Sequence, residues 1–202
     1  MIPHHLKMKN KKIIIINGPS CAGKSTVAKE ICNTAKFVHL QIDKVSDFYG
    51  TIFPKGMKFV DNDPGTDHQD NGLKGLFNKN RFARRKVVAS IMLATVEELT
   101  KQGFDLVIDT ALDGPDAEEL AELYLNRLKG NHILFVGIFC PVEERLKRLK
   151  TRTDNKFLTE EFVRLQSDTW DVFGLCKHMY DVSFDSSKLT SIQIKEEILR
   201  KI

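Results

Sequence analysis

The sequence lacks the features that mark membrane, secreted and zinc-stapled proteins. No stretch approaches the ~18 consecutive apolar residues of a membrane-spanning helix, so neither a span nor a membrane partner is expected. The longest early apolar run, Ile13 to Ile16, is too short for the core of a secretory signal. Four cysteines, Cys21, Cys32, Cys140 and Cys176, are scattered and form no CxxC pair. That argues against a disulfide framework and against structural zinc. An excess of one charge is also missing: 31 Lys and Arg against 27 Asp and Glu leave +4. So mild a balance permits an anionic ligand but gives no ground for a nucleic-acid partner. Internal repeats and low-complexity segments are absent. A cytoplasmic protein is the expectation.

What is present is enough apolar material for a full core: 42% of 202 residues are hydrophobic and 29% charged. Residues 1–202 are expected to form a single domain. The basic residues Lys7, Lys9, Lys11 and Lys12 suggest a solvated N-terminal tail over 1–11. Beyond it the chain alternates strand and helix. Ile13–Asn17 is β-branched and apolar, as a strand buried on both faces should be. A helix is expected over Lys24 to about Thr34, a strand over Phe37–Asp43, and a long helix over Arg81–Gln102, capped by Gly103. Phe104–Asp109 reads as a third strand, and Gly114-Pro115 opens a helix to about Lys129. His132–Phe139 is a fourth strand, Pro141 opens a basic helix to about Lys150, and Glu160–Phe173 is helical. Asp181–Asp185 is a fifth strand, and Thr190-x-x-Gln193 is a capping box for the last helix. Strands joined by helical crossovers predict an α/β fold: a mostly parallel five-stranded sheet with helices on both faces. Thr51–Asn80 has no clear period and is rich in glycine and proline. It is expected as a functional loop on the acceptor side, above the carboxyl ends of the strands.

Gly18-Pro19-Ser20-Cys21-Ala22-Gly23-Lys24-Ser25 fits GxxxxGK[ST] without a mismatch, between a strand and a helix. The two glycines let the backbone curl so that its N–H groups meet phosphate oxygens. Lys24 adds a point charge for the β- and γ-phosphates, and Ser25 offers a hydroxyl to Mg²⁺. Gly18 to Thr26 are therefore the expected nucleotide-binding residues. Cys21 occupies a free position of the pattern, with no catalytic part expected. The loop implies a nucleoside triphosphate and magnesium without naming the reaction. The chain is short for a motor ATPase and carries no [NT]KxD guanine-reading motif. A small-molecule kinase using ATP is the best class.

Two aspartates end strands beside this loop. Asp109 suits a metal, directly or through water, together with Ser25. Asp43 suits a base that orients an acceptor hydroxyl and takes its proton. Either could instead be a helix cap or turn former. In the basic helix, Arg145, Arg148 and Arg152 are spaced three and four apart and share a face if the helix continues. Arg148 and Arg152 are expected as catalytic arginines of a small lid over 145–160. Arg145 is expected to be structural, on a solvated face with Glu143 and Glu144. The segment Asp181 to Ser187 lies where such folds often hold the nucleotide base.

With INGPSCAGKST, VHLQIDKVSDF, DLVIDTAL, VGIFCPVEERLKRLKTR and HMYDVSFDSS in place, the chain resembles the chloramphenicol phosphotransferase-like family of P-loop kinases over roughly residues 12 to 200. The resemblance implies a three-layer P-loop NTPase fold and transfer of the ATP γ-phosphate onto a hydroxyl of a small molecule. It places the base on Asp43 and the lid arginines on Arg148 and Arg152. The family pattern tends to carry two acidic residues at the third strand's end, and here the second place is Thr110. The loop over 51–80 is more polar than an apolar, aromatic antibiotic favours. Other acceptors of the superfamily (nucleoside, nucleotide, sugar or shikimate-like) therefore stay open, as does a larger partner of a toxin-like kinase. Oligomeric state is not legible.

Overall fold

The computed structural model describes residues 10–42, 44–45, 79–112, 114, 116–152, 158–168 and 173–202, with the side chains of 79–82 left aside. Five strands form one sheet: β1 (Lys12–Asn17), β2 (Phe37–Gln41), β3 (Asp105–Asp109), β4 (His132–Phe139) and β5 (Val182–Asp185). Their order is β2-β3-β1-β4-β5, and every pairing is parallel. Among the described residues the helices are α1 (Lys24–Thr34), α2 (Lys79–Lys101), α3 (Ala117–Arg127), α4 (Val142–Thr151), α5 (Glu160–Asp168) and α6 (Ser191–Lys201). None of them is long and apolar enough to cross a membrane.

The central strand explains the three layers. Successive side chains of a strand point to opposite faces, and β1 is apolar at each of four successive positions. Ile13 and Ile15 enter the core on one face, with Met92, Leu93 and Val96 of α2 and Leu120 and Tyr124 of α3. Ile14 and Ile16 enter the other, with Val27, Ala28 and Ile31 of α1 and Ile194 and Ile198 of α6. All four isoleucines are at most 1% exposed. A strand buried on both sides needs no alternation, which is why its sequence shows none.

Several boundaries move. The second strand stops at Gln41, because Ile42 is already helical. The helix expected from Gly114-Pro115 begins at Ala117 and ends at Arg127, since Lys129 bridges to Asn131 instead. The helix from Glu160 ends at Asp168, and Phe173 lies in a turn before a short 3₁₀ helix, Lys177–Met179. Lys12, grouped above with the basic tail, opens β1, and Lys11 donates its N–H to Asn131 Oδ1 at 3.2 Å. The capping box forms: Gln193 N–H donates to Thr190 Oγ1 at 3.2 Å, and Thr190 N–H donates to Gln193 Oε1 at 2.9 Å. Lys7 and Lys9 of the tail, Asp43, most of the segment 51–80 and residues 153–157 of the expected lid lie outside the described residues.

Candidate active site

The carboxyl ends of β1 and β3 and the start of α1 meet at one cleft. Gly18 leaves β1 with φ of 151°, so close to β4 that a Cβ there would lie 2.2 Å from the Ile138 carbonyl oxygen. Only glycine fits. The loop then turns through two left-handed residues, Cys21 with φ of 61° and Gly23 with φ of 95°. Gly23 is the N-cap of α1 and has no side chain to cap it. The first N–H groups of α1 are thus left for a ligand, at the positive end of the helix dipole.

Lys24 folds back and donates from Nζ to the Pro19 carbonyl at 3.1 Å. Ser25 donates from Oγ to Asp109 Oδ2 at 2.5 Å, joining α1 to the end of β3. Asp109 is 5% exposed. Burial pushes its carboxyl up, but His39, Lys24 and Ser25 together outweigh burial and hold it below the ordinary carboxylate range. His39 stands on β2 with Nε2 3.8 Å from Asp109 Oδ2. Nothing in the sequence singles out this histidine. Its position two residues inside a strand beside β3 becomes meaningful only once the register places it opposite Val107.

A cleft of about 710 Å³ opens over this group. Ser20, Cys21, Gly23, Lys24, Ser25 and Thr26 line it, with Asp109 and Thr110 at the end of β3. Gly18, Pro19 and Ala22 do not line it and shape the loop from behind. Ile42, the sequence neighbour of Asp43, is on the wall. The turn after β5, including Ser186, Ser187 and Lys188, forms another wall. That is the segment expected to face the base.

The arginines of α4 divide differently from expectation. Arg148 lines the cleft and donates to the carbonyls of Cys21 and Ala22, both at 3.4 Å, and to Ser186 O at 2.7 Å. Its Nε also lies 3.5 Å from Glu144 Oε1. Arg152 lines the cleft too, but α4 has ended at Thr151, and Arg152 is an extended C-cap residue rather than a member of a continuing helical face. Arg145, expected on a solvated face, is instead 0% exposed. It donates to Ser20 O at 3.4 Å and to Ser167 Oγ. The correction has a plain cause: α4 packs on α5, and the face carrying Arg145 is the one covered.

Sequence reasoning missed two further anchors. Asn17 is fully buried; its Oδ1 accepts from Leu112 N–H at 2.8 Å and its Nδ2 donates to Tyr180 Oη at 2.8 Å. A lone amide closing the apolar run Ile13–Ile16 was the available signal, since a buried amide needs partners. Gln166, 2% exposed, accepts from Ser20 N–H at 2.8 Å.

A family model described as chloramphenicol phosphotransferase-like protein matches residues 11–202. The chain belongs to this family. No curated protein sequence matches it. Among solved structures, the Mycobacterium tuberculosis APS kinase in complex with AMPPNP and APS is similar at 13% identity and TM-score 0.63, covering 95% of this chain and 96% of that one. A sugar kinase from Janibacter sp. HTCC2649 is similar at 11% identity and TM-score 0.61, over 94% and 93%. The shikimate kinase from Acinetobacter baumannii in complex with shikimate is similar at 16% identity and TM-score 0.54, over 95% and 92%. At such identities the likeness is one of fold, and the fold is the three-layer P-loop α/β architecture. Membership of the chloramphenicol phosphotransferase-like family makes the chain a P-loop phosphotransferase.

Proposed function

We propose that the cleft moves the γ-phosphate of ATP onto a hydroxyl of a small molecule. The observation that carries this is the hydrogen bond between Ser25 and the buried, ionised Asp109, beside Lys24 at an uncapped helix N-terminus. A hydroxyl and one carboxylate are hard oxygen donors. They suit a Mg²⁺ ion held mainly by phosphates and water, which needs no dedicated cage. Among the described residues no three His, Cys, Asp or Glu side chains converge as such a cage. Ser25 and Asp109 would hold the ion, and magnesium bound with the nucleotide offsets charge on the phosphate oxygens.

In this reading Lys24 and the loop N–H groups bind the β- and γ-phosphates, and Arg148 and Arg152 offer charge to the transferred group. The acceptor oxygen forms a bond to the γ-phosphorus as the bond to the β–γ bridging oxygen breaks, and ADP departs. The acceptor's proton passes to Asp43. Ile42 on the cleft wall and the family pattern support that assignment. The polar composition of 51–80 favours a hydrophilic acceptor over an aromatic antibiotic.

The test combines a panel and one variant. Hydroxyl-bearing antibiotics, nucleosides and sugars are scored by ADP release and product mass, with ATP and Mg²⁺. Asp43→Asn keeps shape and capping ability but loses the base. Turnover should fall by about 10² or more with nucleotide affinity little changed. Wild-type turnover together with wild-type ATP binding in that variant would remove Asp43 from the mechanism. No product from any acceptor, with ATP bound, would refute a hydroxyl-directed transfer.

A further inference from the structure

The Pro19–Ser20 peptide is gripped at both ends. Its N–H donates to Gln166 Oε1 at 2.8 Å, and its carbonyl accepts from Lys24 Nζ at 3.1 Å and, across the turn, from Ala22 N–H at 3.3 Å. A trans peptide is planar, and its N–H and C=O point in opposite directions. The described chain has no cis peptide. An acceptor that holds the N–H outward therefore aims the carbonyl inward, toward the lysine.

Gln166 is built to hold that orientation. It is 2% exposed on α5, where a buried amide without a partner is costly. The next residue, Ser167, accepts from Arg145, and Arg145 donates in turn to Ser20 O. The peptides on both sides of Ser20 are thus fixed from behind by α4 and α5, just before the left-handed turn at Cys21.

We infer that Gln166 is a positioning residue for Lys24, acting through the Pro19–Ser20 peptide. It sets where the ammonium waits before a triphosphate arrives. With the acceptor removed, only the long Ala22 N–H bond still holds the Pro19 carbonyl, the peptide plane is free to tilt, and Lys24 loses its fixed docking point. The inference rests on the triphosphate site proposed above, and its test includes a measurement that needs no nucleotide.

The full-length protein is compared as wild type, Gln166→Leu and Gln166→Glu. Leucine keeps the volume and removes the acceptor. Glutamate keeps an acceptor oxygen whether ionised or protonated. Three quantities are read: the melting temperature, the dissociation constant for AMPPNP with Mg²⁺ by calorimetry, and the acetylation rate of Lys24 in nucleotide-free protein by mass spectrometry. The Lys24 rate is normalised to Lys147, whose side chain is 77% exposed. Gln166→Leu should weaken AMPPNP binding about tenfold and change the normalised Lys24 rate by a similar factor. Gln166→Glu should stay within about threefold of wild type in both. A merely structural residue would lower the melting temperature and leave the Lys24 rate alone.

The inference is overturned if folded Gln166→Leu matches wild type in Lys24 labelling, or if Gln166→Glu falls as far as leucine. Should Gln166→Leu fail to fold, Gln166→Asn, which withdraws the amide by one methylene, is scored by the same criteria as leucine. Failure of the wild type to bind AMPPNP would sink the proposed function, while the labelling comparison would still decide the role of Gln166.

Discussion

Truncating Arg145 to alanine should destabilise the protein more than the same change at Arg148 or Arg152. Two effects oppose each other. A guanidinium with no exposed surface has lost its hydration, so its removal relieves a desolvation cost. Against that, its bonds to Ser20 O and Ser167 Oγ disappear, and its buried stem leaves a void between α4 and the phosphate loop. A hydrogen bond from a charged donor contributes about 1.5–3 kcal/mol, and a carbonyl left buried without a partner costs about 1–3 kcal/mol. The polar losses and the void should outweigh the relief, for a net loss of about 3 kcal/mol. In a chain of this size, 1 kcal/mol corresponds to about 2–4 °C, so the melting temperature should drop by about 6–12 °C. Calorimetric melts of the alanine and methionine variants separate the contributions, because methionine refills the volume without the donors. Arg145→Ala melting within about a degree of wild type, or above it, would show that desolvation dominates and that the contact to Ser20 carries nothing.

Lys24→Ala should leave the protein folded, with the melt lowered only slightly by the lost attraction to Asp109, and cut turnover by several powers of ten; more than about a tenth of wild-type turnover would contradict the loop assignment. Gly18→Ala places a Cβ 2.2 Å from a backbone oxygen of β4, so stability in urea should fall by about 3 kcal/mol or more, and a loss under about 1 kcal/mol would contradict the close approach. Asp109 holds its proton less tightly in the folded protein than in an unfolded chain. Its contribution is therefore present above the ordinary carboxylate value, about pH 4, and is lost as pH falls through the lower folded value. Asp109→Asn should accordingly flatten the acid limb of stability against pH, and an unchanged limb would contradict the depressed carboxylate.

Legibility in the sequence followed the range of the interactions. The β-branched run Ile13–Ile16, the phosphate-loop pattern and the box Thr190–Gln193 are local, and each produced the element expected from it. That the sheet is parallel followed from strands joined by helical crossovers, whereas the order β2-β3-β1-β4-β5 is set by pairings between distant segments and was not read from the sequence. The contacts that brace the site are not local. Gln166 lies 146 positions from Ser20, and Arg145 lies 125. Helical spacing put Arg145 and Arg148 near one face of α4, yet spacing cannot say which part of that face a neighbouring helix covers. Two glutamates just upstream suggested solvent partners for Arg145. In the fold it is Arg148 that approaches Glu144, while Arg145 is sealed beneath α5. The strand end at Gln41 was misread because Ile42 continues the apolar alternation after the backbone has turned helical.

The same contacts explain how a short loop can present donors to an anion. A concave array of N–H groups exists only if the carbonyls between them point elsewhere and find partners there. Here the carbonyls of Ser20, Cys21 and Ala22 accept from Arg145, Arg148 and Ser186. Ser186 donates to Ala22 O at 2.7 Å while its own Oγ accepts from Arg148 at 3.1 Å, which ties the turn after β5 to the loop. Cations on the outer side of the loop also favour an anion on its inner side, because positive charge behind the carbonyls deepens the positive potential at the N–H groups. In the reading proposed above, Arg148 acts on the phosphate site twice: through the loop carbonyls it holds, and through the cleft wall it forms. A basic helix after the fourth strand is as much a part of the phosphate loop as the glycines that shape it.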